Sequence, residues 1–176
     1  MLTRKEAFKI NFNWQQQYMM QVESLLKRNA GAFLRISIAS AEQDMKQSTD
    51  MVLEVGGAGT VAVRIRRPNC RFRDLTLRSF VPSGAKTELE KIRDDGFGDW
   101  YLYAWADIHD VLREWMLIDL NILRDSGLLY AARPETRNFD GTRFTSYSIP
   151  ELRITGAIVA GHVNGISLVQ PKEYRQ

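Results

Sequence analysis

At 176 residues, 44% of them hydrophobic and 26% charged, the chain is sized for one globular domain with its own core and is too short for two. Its net charge is only +3, from 24 basic against 21 acidic residues, so overall charge does not compel polyanion binding. A lone cysteine, Cys70, excludes an intrachain disulfide, no apolar run approaches the ~20 residues of a bilayer crossing, and Met1-Leu2-Thr3-Arg4-Lys5 leads into no signal-like apolar segment; a cytoplasmic protein with no membrane partner is expected.

Residues 13–29 read as an amphipathic helix, because Trp14, Tyr18, Val22, Leu25 and Leu26 recur at helical spacing between glutamines and charges. Asn13 is placed as its N-cap and Asn29-Ala30-Gly31 as its stop. Phe33 to Ala39 alternates as a strand, and polar residues Gln43 to Thr49 lead to a second strand, Met51-Val52-Leu53-Glu54-Val55. Gly56-Gly57-Ala58-Gly59 makes a tight hairpin into Thr60 to Arg66, and Pro68-Asn69 turns the chain into a strand from Phe72 to Phe80. Thr87-x-x-Glu90 is a capping-box pattern opening a short helix that ends at Asp94-Asp95-Gly96. The next strand, Asp99 to Ala106, is apolar or aromatic on both faces, which places it centrally and covered on both sides. Glu114 to Leu120 is a further strand, running into a helix that stops at Ser126-Gly127. Residues 131–143 are polar and irregular and read as a mobile loop. A short strand near Phe144 to Ser148 follows, then an apolar stretch, Ile154 to Val159, that packs on the core. The order predicts a single domain over 1–176, α/β or α+β, built on one mixed, mostly antiparallel sheet flanked by helices.

Arg64, Arg66, Arg67, Arg71, Arg73 and Arg78 all fall within this run of strands, and arginine supplies 17 of the 24 bases. A guanidinium is a planar fork of donors that matches phosphate and carboxylate oxygens and stays charged at biological pH. If the hairpin keeps apolar residues together, Val55 lies opposite Val61, which sets Asp50 against Arg66 and Val52 against Arg64. The same rule at the next turn sets Val63 against Leu75 and Val61 against Leu77, so Arg64 faces Asp74 and Arg66 faces Phe72. One face is then dry, and the other carries Asp50, Glu54, Arg64, Arg66, Asp74, Thr76 and Arg78. Two readings of that face stay open. In one, Asp50–Arg66 and Arg64–Asp74 are cross-strand ion pairs on a solvated surface, each contributing up to about 1 kcal/mol. In the other, Arg64, Arg66, Arg73 and Arg78, with Lys86, meet the phosphates of a nucleic acid.

Ser48-Thr49-Asp50-Met51-Val52 is an Asp-bearing strand entry, and Val61-Ala62-Val63-Arg64-Ile65-Arg66 is its hairpin partner. With the helix before and the basic strand and helix after, this order, over roughly residues 13–125, resembles the PD-(D/E)xK nuclease superfamily and its restriction-endonuclease-like fold. The segments Arg73 to Arg78, Ser83 to Glu88 and Gly98-Asp99-Trp100 also resemble uncharacterised phage and prophage proteins. The resemblance implies DNA or RNA as substrate and a Mg²⁺ ion held between carboxylates, with metal-activated water attacking the phosphodiester. Asp50 is then the metal ligand, Glu23 or Asp74 completes the catalytic site, and Arg66 with Arg78 holds the scissile phosphate. The pattern departs from the family where its Glu falls on Arg64 and its Lys on Arg66, since a guanidinium cannot serve as a base. Glu54 lies roughly 13 Å from Asp50 along the strand, and Asp74 on the order of 11–12 Å across it, against the 2–2.6 Å that a shared cation requires.

The remaining motifs carry less. Lys86-Thr87-Glu88 with Asp99 is a second polar cluster, read first as a capped helix with surface charges. His109 and His162 have no companions at metal-ligand spacing, and Gly56 to Gly59 lacks the Lys-Ser/Thr of a P-loop. Tyr101, Tyr103 and Trp105 share one strand face, where they either stack unpaired bases at about 1–3 kcal/mol each or fill the groove under a helix. The function expected is nucleic-acid binding or processing, extending to Mg²⁺-dependent phosphodiester hydrolysis. The alternative is a non-catalytic binding, inhibitor or assembly protein that docks a protein partner through the arginine-rich face.

Overall fold

The computed structural model describes residues 4–29, 35–38, 51–54 and 58–168. Within them the chain is α+β, as expected, but it builds two sheets rather than one. The large sheet has seven strands in the order β1-β2-β3-β5-β6-β9-β10, and the small one three in the order β4-β8-β7. The strands are β1 Arg35–Ile38, β2 Met51–Glu54, β3 Ala58–Arg66, β4 Leu75–Phe80, β5 Trp100–Ala106, β6 Leu112–Asp119, β7 Thr136–Arg137, β8 Arg143–Tyr147, β9 Ile158–Val163 and β10 Ile166–Ser167. The helices are α1 Arg4–Gln16, α2 Met19–Asn29, α3 Glu88–Arg93, α4 Leu120–Asp125 and α5 Ile149–Ile154.

The expected first helix is two helices. Asn13 lies inside α1 rather than capping it, and the chain turns at Gln17–Tyr18. That turn drives Tyr18 fully into the core, where its hydroxyl donates to Asp110 Oδ1 at 2.5 Å. The periodic apolar residues Tyr18, Val22, Leu25 and Leu26 then cover Val61, Val63, Ile65, Leu102 and Leu117 on one face of the large sheet. Each such side chain contributes about 1.5–3 kcal/mol when fully buried.

The opposite face, carrying Ala62, Tyr101, Tyr103 and Trp105, is covered by Leu75, Leu77 and Tyr147 of the small sheet and by Leu89 and Ile92 of α3. This corrects the expected pairing of β3 with β4. β3 instead runs parallel to β5, with Ala62 beside Tyr101, Arg64 beside Tyr103 and Arg66 beside Trp105. A parallel pair needs a long crossover, and β4 with α3 is that crossover. β5 wins the edge of β3 because it is apolar on both faces and gains from being buried on both; it is buried along almost its whole length. β4 pairs with β8 instead, Leu75 to Tyr147 and Leu77 to Thr145, so Arg64 does not face Asp74 and Arg66 does not face Phe72.

The β2–β3 hairpin exists but is shifted. Met51 lies opposite Val61 and Glu54 opposite Ala58, four residues from the expected register, because β3 starts at Ala58. Apolar residues still share a face, since a shift of four keeps the alternation. Asp50, and with it the Asp50–Arg66 pair, lies outside the described residues. In the segment 131–143, read as irregular, Thr136–Arg137 pairs with β8 through a turn held by Asn138 and Asp140. The apolar stretch 154–159 leads into β9, which joins the large sheet beside β6. No helix among the described residues is long and apolar enough to cross a membrane.

Candidate functional site

Arg64 projects from β3 beneath the crossover. The Thr87–Glu90 capping box begins α3 and places Glu88 at its first position, where Glu88 Oε2 accepts from Arg64 Nη1 at 2.6 Å. The same carboxylate accepts from the Arg78 amide at 3.2 Å and from the Tyr101 hydroxyl. Burial works to raise the Glu88 carboxyl, but Arg64, Tyr101 and the Arg78 amide outweigh it and hold it below its ordinary value. Glu88 in turn holds the Arg64 guanidinium protonated more firmly than usual. Burial, then the Glu88 charge, pushes the Tyr101 hydroxyl well above its ordinary range. Arg64 is thus satisfied from within.

Its neighbours are held differently. Arg66 donates to Thr76 Oγ1 at 3.2 Å, and that hydroxyl shares a 2.8 Å hydrogen bond with Tyr103. Arg67 donates to Asn11 Oδ1 at 3.0 Å and lies 4.6 Å over the Trp14 ring. Arg71 and Arg78 are exposed. Among the described residues none of these four guanidiniums makes an ion pair with a carboxylate. Arg78 does lie close enough to help lower the Glu88 and Asp140 carboxyls.

These side chains line one open groove of about 1050 Å³, walled by α1, the end of β3, residues 69–72 and the start of α3. Its lining holds seven bases, Arg64, Arg66, Arg67, Arg71, Arg78, Lys86 and Lys91, against the single acid Glu88. The rest of the chain then has 17 bases against 20 acids, so the protein's positive charge is concentrated here. A concave site with one sign of charge focuses its field on an approaching anion.

The structure therefore brings four of the five expected phosphate-binding residues together: Arg64, Arg66, Arg78 and Lys86. Lys86 also pairs with Asp95. Arg73 is elsewhere, engaged by Glu114 at 2.6 Å, by the Cys70 carbonyl at 2.6 Å and by the Trp105 ring at 5.4 Å. Arg67 and Arg71 belong to the arginine cluster of the sequence but not to the five residues placed on phosphates, and Lys91 is a groove residue that patterning did not single out. The signal for Arg67 and Arg71 was their position flanking the Pro68-Asn69 turn, where side chains point to solvent. Asp99, expected near Lys86 and Glu88, instead accepts from the Thr60 amide at 2.7 Å and the Thr60 hydroxyl at 2.9 Å. Tyr101, Tyr103 and Trp105 are buried under the small sheet, which leaves them no face for a base.

The expected carboxylate cluster is dispersed. Glu23 pairs with Lys27 at 2.5 Å on α2, against one face of the large sheet. Asp74 precedes β4 on the other face, where burial and then the Glu151 charge push its carboxyl up. These two cannot ligate one cation together, and Asp50 lies outside the described residues. Among the described residues no group of three or more His, Cys, Asp or Glu side chains is placed to hold a metal ion. No protein-family model and no curated protein matches this chain.

Proposed function

We propose that this protein binds nucleic acid through the groove between α1, the end of β3 and α3, with Arg66, Arg67, Arg71 and Arg78 meeting backbone phosphates. The reading is supported by one observation above all: seven bases line the groove against one acid, and the ion pairs among the described residues engage Arg64, with Glu88, and Lys86, with Asp95. Guanidiniums held by neutral partners (Thr76 for Arg66, Asn11 and Trp14 for Arg67) are oriented without being discharged. Such preorganisation favours bidentate binding of an oxyanion such as phosphate. The proposal is one of binding, and Mg²⁺-dependent hydrolysis is a separate outcome that the same experiment reads.

The test is DNA affinity against salt, with and without Mg²⁺. Four phosphate contacts predict a slope of log K on log salt of about −3 to −4, since each contact contributes about 0.7 on single strands and 0.9 on duplex. Arg71→Ala and Arg78→Ala should each flatten that slope by one contact. Absence of binding at low salt, or slopes indifferent to both substitutions, refutes the proposal. Product that appears only with Mg²⁺ and disappears in Asp50→Ala would instead establish cleavage.

A further inference from the structure

We infer that the occupant of the groove is a single strand, with an unpaired base stacked on Phe72; this rests on the phosphate-binding reading above. Phe72 lines the groove and is 75% exposed. Its exposure is built in, because the loop that carries it is held from below. The buried Trp105 indole donates from Nε1 to the Phe72 carbonyl at 3.0 Å, Arg73 Nη1 donates to the Cys70 carbonyl at 2.6 Å, and the Cys70 amide donates to the Arg67 carbonyl at 3.0 Å. These three bonds hold the backbone of the turn that presents the ring.

Trp14, Arg67 and Arg71 line the same groove as Phe72, with Arg67 over the Trp14 ring, so the groove offers both charge and aromatic surface. That combination suits a strand whose phosphates and bases are both free. A basic groove tracks the backbone, while an aromatic face takes any base, since every base has a π-face. In a duplex the bases are already stacked and only the phosphate rim reaches such a wall, which would leave Phe72 in water. Bare phosphate would leave it uncovered as well.

The experiment measures anisotropy of a labelled oligo-dT of about twelve nucleotides, within the span of a single-strand site, and of a duplex of the same length. Binding of the single strand should exceed that of the duplex. Phe72→Ala should weaken the single strand roughly 5- to 140-fold, which is what about 1–3 kcal/mol of stacking becomes at 1.4 kcal/mol per tenfold. It should leave duplex binding and both salt slopes unchanged, and Phe72→Trp should restore single-strand affinity. Equal affinity for strand and duplex, or a Phe72→Ala variant that binds the strand like the wild type, overturns the inference while the phosphate reading stands. Failure to bind either probe at low salt overturns both.

Discussion

Replacing Glu88 with alanine should unfold the protein more readily than any other single change in the groove. Three donors converge on its carboxylate: Arg64 Nη1 at 2.6 Å, the Arg78 amide at 3.2 Å and the Tyr101 hydroxyl. Removing one member of a buried ion pair costs about 3–5 kcal/mol, mostly through the charge left behind. Arg64 keeps 28% of its side chain exposed and Glu88 keeps 19%, so water reaches the stranded guanidinium and the low end applies, about 3 kcal/mol. For a chain of this size that lowers Tm by about 6–12 °C. The pH dependence has a definite sign. Burial opposes ionisation of Glu88, yet Arg64, Tyr101 and the Arg78 amide prevail and depress the folded value. The stabilisation is therefore complete above the unfolded value of about 4.3, and it fades as pH falls through the lower folded value. Urea and thermal melts of the wild type and Glu88→Gln should show a constant gap from about pH 8 to 5 that closes below about pH 4. The apolar pair Arg64→Met with Glu88→Leu should recover most of the loss, because it leaves no buried charge unpaired. A loss under about 1 kcal/mol in Glu88→Ala, or a double variant no more stable than Glu88→Ala, would refute this account of the pair.

Asp74→Asn should act in the opposite sense. Burial and Glu151 raise the Asp74 carboxyl, so its ionised form destabilises the fold above that raised value, and the penalty vanishes as pH drops below the unfolded one; the variant should melt higher than wild type at pH 7 and equally near pH 3. Gly161→Ala would place a Cβ 2.7 Å from the Trp115 carbonyl oxygen and 3.1 Å from Met116 Cα, an overlap between neighbouring strands that should cost about 1–3 kcal/mol. An unchanged denaturant midpoint there would contradict the β6–β9 register. Trp105→Phe removes the indole bond to the Phe72 carbonyl; about 1 kcal/mol of stability and tighter protection of residues 67–73 in hydrogen exchange should both be lost.

Local patterns were legible and long-range partners were not. The helical spacing of Tyr18, Val22, Leu25 and Leu26, the Thr87–Glu90 capping box and the central position of β5 all followed from short windows of sequence. The parallel joining of β3 to β5 did not, because the alternation of Val61 to Ile65 suits either β4 or β5 as neighbour. Only the competition for a doubly covered position decides it. The small sheet escaped for the same reason, since β4 and β8 meet across more than sixty intervening residues. One missed element did carry a signal: Ser148 and Glu151 form a capping box with Pro150 in the first turn of α5. At the site, the crowding of arginines was plain, but which of them are discharged was not. Arg64 and Arg73 find carboxylates on α3 and β6, distant in the chain, whereas Arg67 finds a tryptophan on α1.

The crossover that separates β3 from β5 also ties the groove to the global stability of the fold. Its walls come from the first helix, from the large sheet and from the crossover itself, so an occupant would lace three separately packed parts of the chain together. Peeling the small sheet away would have to release that occupant first. With no disulfide to clamp these layers, cargo would act as a removable cross-brace, raising the melting temperature in proportion to the logarithm of its concentration.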